Sequence, residues 1–191
     1  MAEESGCRDC SQAYIARIEE VNDEVRAVLC VSPVAIEDAA KLDEERKAGS
    51  LRSNSLHGIP VLIKDNISTR YQDGMDTTAG SLALKGVKVD DAHIVTLLRD
   101  AGAIILGKLN MSEWAYYRHG STAKEDDPDY GSPGFNDNKL PSGWSPIGGQ
   151  TTSAFFKDGE PMGSSSGSGP ATVLGLAAAT LGSETNGSII S

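Results

Sequence analysis

The chain has 191 residues, 17 Lys and Arg against 27 Asp and Glu, a formal net charge of −10 and 39% hydrophobic residues. That is enough length for one domain with a real core. Acidic charge without a dense Lys/Arg stripe repels polyphosphate, which argues against nucleic acid as a partner. No run of 18 apolar residues exists, and the first residues, Met1 to Cys7, are acidic where a leader would be basic and then apolar, so neither a membrane span nor secretion is expected. The chain reads as cytoplasmic. Cys7 and Cys10 form a lone C-x-x-C without the second ligand pair of a zinc site, and they are taken as part of an ordinary mobile terminus with no metal.

In chain order, Ile15, Ile18, Val21, Val25 and Val28 recur every three or four residues and predict a surface helix over 11–29. A second helix is expected over 33–47, with Pro33 in its first turn. Ile59 to Lys64 is a short apolar run between Gly58 and Asp65-Asn66, the pattern of a buried parallel strand with Lys64 at its C-terminal end. Asp90 or Asp91 is a candidate cap for a helix carrying Ile94, Val95, Leu97 and Leu98, followed by a strand at Ala103 to Leu106. Strand, helix, strand implies an α/β sheet. Ligands of such sheets lie beyond the carboxyl ends of the strands, where Lys64 and Lys108 fall. Residues 119–162 are rich in Pro, Gly, Ser and Asn and read as substrate-side loops anchored by Trp144, Phe155 and Phe156. Ala171 to Leu181 is apolar almost throughout and reads as one buried segment with serine-bearing loops at both ends.

Several familiar motifs are set aside. Gly102 to Leu109 nearly spells a phosphate loop but has Leu109 where Ser or Thr would hold magnesium. Ser121-Thr-Ala-Lys124 matches S-x-x-K without its companion motifs. Gly163-Ser-Ser165-Ser-Gly167 matches a nucleophile elbow, but His57, His93 and His119 all precede it, whereas that mechanism needs a later histidine.

The motifs that remain are Gly58-Ile-Pro-Val-Leu-Ile-Lys64-Asp-Asn66, Gly107-Lys-Leu-Asn-Met-Ser-Glu113, Met162-Gly-Ser164-Ser-Ser-Gly-Ser168 and Leu181-Gly-Ser-Glu-Thr-Asn-Gly-Ser188-Ile189. Together they resemble the amidase signature family over residues 10 to 191, which implies an α/β fold with a mixed, largely parallel central sheet flanked by helices. The resemblance implies a Ser-Ser-Lys amide hydrolase in which Lys64 is the general base, Ser164 the relay serine beside a cis peptide, and Ser188 the nucleophile. It also implies an oxyanion hole of backbone N–H groups from Thr185, Asn186, Gly187 and Ser188. A lysine buried beside Val61, Leu62 and Ile63 would have its pKa pushed down, and only the uncharged amine can accept a proton. Departures from the family pattern are Asn186, Ser166 and Met162 in place of glycines and Glu184 in place of aspartate. A left-handed conformation at Asn186 would be less comfortable than at glycine.

The implied ligand is a small-molecule amide, with no metal or organic cofactor. The expected layout is a single domain, incomplete at its C-terminus. It has N-terminal helices over 1–56, the start of the α/β core with the lysine over 57–118, the loops over 119–162 and the Ser/Gly signature region over 163–191. Two alternatives accompany the hydrolase reading: a catalytically inactive truncated remnant, and a glutaminase-type subunit of an amidotransferase.

Overall fold

The computed structural model describes residues 6–53, 55–116 and 141–190. Its centre is a four-stranded sheet of β1 (Val28–Val31), β2 (Pro60–Lys64), β3 (Ile104–Leu109) and β6 (Ala179–Leu181), in the order β1-β3-β2-β6. β2 pairs in parallel with both β3 and β6, whereas β1 runs antiparallel to β3. A small hairpin of β4 (Trp144–Ser145) and β5 (Gly149–Gln150) stands apart from this sheet.

Every residue of β2 and of β3 is buried, as expected of parallel strands covered on both faces. Alternation along β2 sends Leu62 into one apolar cluster and Val61 and Ile63 into another. The first cluster takes in residues of α1 (Cys7–Val25), α2 (Ala35–Lys47) and α4 (Ser168–Val173), and the second takes in Val95 of α3 (His93–Asp100). Ile63 pairs with Lys108, so Lys108 lies on the α3 side of the sheet and Lys64 on the other. At Gly107 β3 comes so close to β1 that a Cβ would stand 2.2 Å from the Cys30 carbonyl oxygen. Only glycine fits there.

The α/β class and mixed, largely parallel sheet agree with expectation, and several local readings are corrected. The first helix ends at Val25, where Arg26 turns left-handed at φ 50°, so Val28 begins an edge strand that the helical periodicity concealed. The N-terminal segment is not loose from residue 6 onward: Cys7 is buried and its N–H donates to Asp43 at 2.7 Å. Asp91 does not cap α3, whose N-cap is Ala92; its carboxylate takes the Arg70 N–H at 2.7 Å and the Arg99 guanidinium at 2.9 Å. The stretch 171–181 is two elements, α4 and β6, divided by a left-handed Gly175 at φ 66°. Phe155 and Phe156 do not anchor the loops, being 72% and 74% exposed. His119 and the Ser121–Lys124 motif fall outside the described residues. Among the described residues, no helix is long and apolar enough to cross a membrane.

Candidate active site

Lys64 closes β2 and is fully buried. Its Nζ lies 2.9 Å from Ser164 Oγ, 3.0 Å from Ser165 Oγ and 2.8 Å from the Ser183 carbonyl oxygen. Ser164 Oγ in turn lies 2.9 Å from Ser188 Oγ. Lys64, Ser164 and Ser188 therefore form one unbroken hydrogen-bonded chain, although 100 and 24 residues separate the successive partners in sequence. Burial pushes the Lys64 amine down to about 8, against a weaker opposing pull from Glu184. The peptide between Gly163 and Ser164 is cis.

The turn carrying Ser188 is organised by Glu184. Its carboxylate accepts the N–H of Gly187 at 2.9 Å, of Ile189 at 2.9 Å and of Ile190 at 3.2 Å. The bond from Gly187 is the main reason the Glu184 pKa lies below the usual carboxylate value. This corrects one expectation about the oxyanion hole, because the Gly187 N–H is already committed to Glu184. The N–H groups of Thr185, Asn186 and Ser188 have no protein acceptor among the described residues. Ser188 lines a cavity of about 320 Å³ together with Met162, Gly163, Ser165, Ser168, Thr172 and Ile189 among others.

Against known proteins, the sequence matches the Amidase family over residues 9–191. The chain belongs to the amidase family. The native peptide amidase of Stenotrophomonas maltophilia is 42% identical and superposes with a TM-score of 0.83 over 97% of this chain and 34% of that one. An amidase family protein from Bacillus anthracis is 35% identical, with a TM-score of 0.80 over 97% of this chain and 33% of that one. A glutamyl-tRNA(Gln) amidotransferase component from Symbiobacterium thermophilum is 38% identical over 99% of this chain and 34% of its own length. The chain thus spans about a third of the length of these relatives.

Within that family frame, the departures from the amidase pattern separate clearly. Asn186 is not among the left-handed residues; the positive φ falls on Gly187 at 77°. Met162 does adopt a left-handed φ of 61°, so the cost of losing a glycine falls there, at about 1 kcal/mol. Ser165 and Ser183 were missed as partners of Lys64. The sequence signal for Ser165 was its adjacency to Ser164, and Ser183 meets Lys64 through its backbone carbonyl, which leaves no side-chain signature. Lys108, expected near the ligand end with Lys64, instead directs its Nζ to the carbonyl oxygens of Asp65 and Ile67 and to Thr77 Oγ1. Cys7 is buried in the first turn of α1, and burial pushes its thiol up to about 11, the opposite of a reactive thiolate. His57 is a packing residue whose Nε2 lies 2.9 Å from the Leu42 carbonyl oxygen.

Proposed function

We propose that the chain carries the catalytic side chains of a serine-dependent amide hydrolase, releasing ammonia or an amine from a small carboxylic amide. The observation that carries this reading is the chain Lys64–Ser164–Ser188, with Nζ to Oγ and Oγ to Oγ both at 2.9 Å. A serine hydroxyl is too weak an acid to attack an amide alone. The neutral form of Lys64, made accessible by burial, takes the Ser164 proton while Ser164 takes that of Ser188. The Ser188 oxygen then adds to the amide carbonyl. The N–H groups of Thr185, Asn186 and Ser188 are the candidates to receive the oxyanion, and one preorganised donor is worth about 3 kcal/mol. Return of the proton through the relay expels the amine, and water cleaves the acyl-enzyme by the same route. No step needs a metal or an organic cofactor.

The likeness to the peptide amidase supports a stand-alone hydrolase over an amidotransferase component, because the described chain matches it at 42% identity with a TM-score of 0.83. The test is covalent labelling of the full-length protein by a fluorophosphonate, with the site located by mass spectrometry. Label on Ser188 that disappears in Ser188→Ala is the expected result. Label elsewhere, or persistence in Ser188→Ala, rejects the mechanism. Ammonia release from glutamine only in the presence of a second protein would move the reading to the amidotransferase class. A folded protein without label would be an inactive remnant.

A further inference from the structure

Against the backbone of Ser164 lies a buried group of hydroxyls that the proton relay does not use. Ser112 stands at the centre, 2% exposed, just past the end of β3. Its N–H donates to the Ser164 carbonyl oxygen at 3.3 Å, and its Oγ pairs with Ser166 Oγ at 3.2 Å. The same Oγ accepts the N–H of Gly143 at 2.8 Å, and Gly143 belongs to the segment leading into the β4–β5 hairpin. The hydroxyls converge on one residue: a Cβ at Gly163 would stand 2.4 Å from Ser166 Oγ and 3.0 Å from both Ser112 Oγ and Tyr116 OH.

This arrangement fixes the backbone of Ser164. Ser166 itself stands in the Ser/Gly loop two residues beyond Ser164, so its bond to Ser112 ties that loop to the end of β3. Ser112 holds both the carbonyl of the relay residue and the hydroxyl of its neighbour, and also takes an N–H from the hairpin side. Asn110 extends the tie, accepting from Ser145 Oγ at 2.7 Å and donating to the carbonyl oxygens of Gly143 and Gly149 at 3.4 and 3.1 Å. Ser112, Ser166, Asn110 and Ser145 are all buried, and out of bulk water hydrogen bonds are stronger and fewer alternative geometries compete. We infer that Ser112 and Ser166 are positioning residues that hold Ser164 in line between Lys64 and Ser188 and connect the hairpin at 144–150 to the relay.

The inference rests on the hydrolase reading above, and its test separates the two. Fluorophosphonate labelling of the full-length protein is followed as a second-order rate from pH 6 to pH 10 for wild type, Ser112→Ala, Ser166→Gly and the double variant. Misplacement of a reacting group is read directly in rate. The expected results are a rate about tenfold lower in Ser112→Ala and about threefold lower in Ser166→Gly at every pH, with the midpoint of the pH dependence unmoved because the surroundings of Lys64, Glu184 included, are unchanged. The double variant is expected to be no slower than Ser112→Ala, since the two hydroxyls act as one link. Wild-type rates in both folded single variants overturn the inference. So does a double variant whose losses multiply, which would mean independent effects. A wild-type protein that takes no label rejects the hydrolase reading, and the positioning role falls with it. Ser166→Gly, which places glycine where the amidase pattern has it, keeps the test decisive if Ser112→Ala lowers the folded yield.

Discussion

Two fully buried lysines stand almost side by side on opposite faces of the sheet, Lys64 at the end of β2 and Lys108 near the end of β3, and burial pushes both amines down to about 8. They differ in what surrounds the nitrogen. Two of the three Lys64 partners are hydroxyls, Ser164 and Ser165, each of which can turn and donate to a neutral amine. Two of the three Lys108 partners are the carbonyl oxygens of Asp65 and Ile67, which can only accept. The Asp65 carboxylate also favours the charged form of Lys108, whereas the charge acting on Lys64 comes from exposed Glu184. A depressed amine is therefore not by itself a base: the partners decide whether the proton can leave and be passed on. The partners of Lys64 would let a proton be passed on, as the proposed mechanism requires, whereas those of Lys108 tie it to the chain that follows Lys64.

The largest expected effect tests that division directly. Lys64→Met should slow fluorophosphonate labelling by about 10³-fold, the scale of a lost general base, with no loss of stability, because its hydroxyl partners can pair with one another and a desolvated amine is gone. A marked loss of stability in denaturant unfolding would show that Lys64 is structural after all. Gly107→Ala should cost about 3 kcal/mol by driving a methyl into the Cys30 carbonyl and prying β1 from β3. A near-neutral result would show that the strands slide apart easily and that Lys108 is less firmly placed than it looks. Lys108→Met should destabilise by about 2 kcal/mol, since two buried carbonyls lose their donor, while the labelling midpoint stays at the wild-type pH. If that midpoint moves instead, the two lysines titrate as a pair and the contrast fails.

The smallest effect concerns charge alone. A base must be neutral, so labelling should rise with pH through about 8, the value for Lys64. Glu184 raises the Lys64 pKa, so Glu184→Gln should move that rise toward lower pH. A rise displaced upward would contradict the assignment. The same sign governs stability: an amine at about 8 when folded and 10.5 when free binds more protons unfolded, so stability contributed through Lys64 increases as pH climbs between those values.

Much of the site could be read from the sequence because its side chains sit in short contiguous motifs. The apolar run 59–63 announces a buried strand, and whatever follows it is carried into the core, so Lys64 was legible. Ser164 and Ser188 came from the family pattern rather than from any periodicity. What escaped was set by tertiary contact. Val28–Val31 continues the i, i+3, i+4 pattern of α1, and only pairing with β3 makes it a strand. The hydroxyl group around Ser112 joins residues separated by 54 positions, which no local pattern encodes. The commitment of the Gly187 N–H to Glu184 required the longer side chain of glutamate to be seen folded back on its own turn.

β6 stands at the end of the described sheet, paired on one side with β2. Beyond Ala179–Leu181 no further strand pairs among the described residues, and Val173, Ile189 and Ile190 are exposed nearby. An open strand edge flanked by aliphatic side chains is a template for another strand. A polypeptide laid there in register would lengthen the sheet by one strand beside β6.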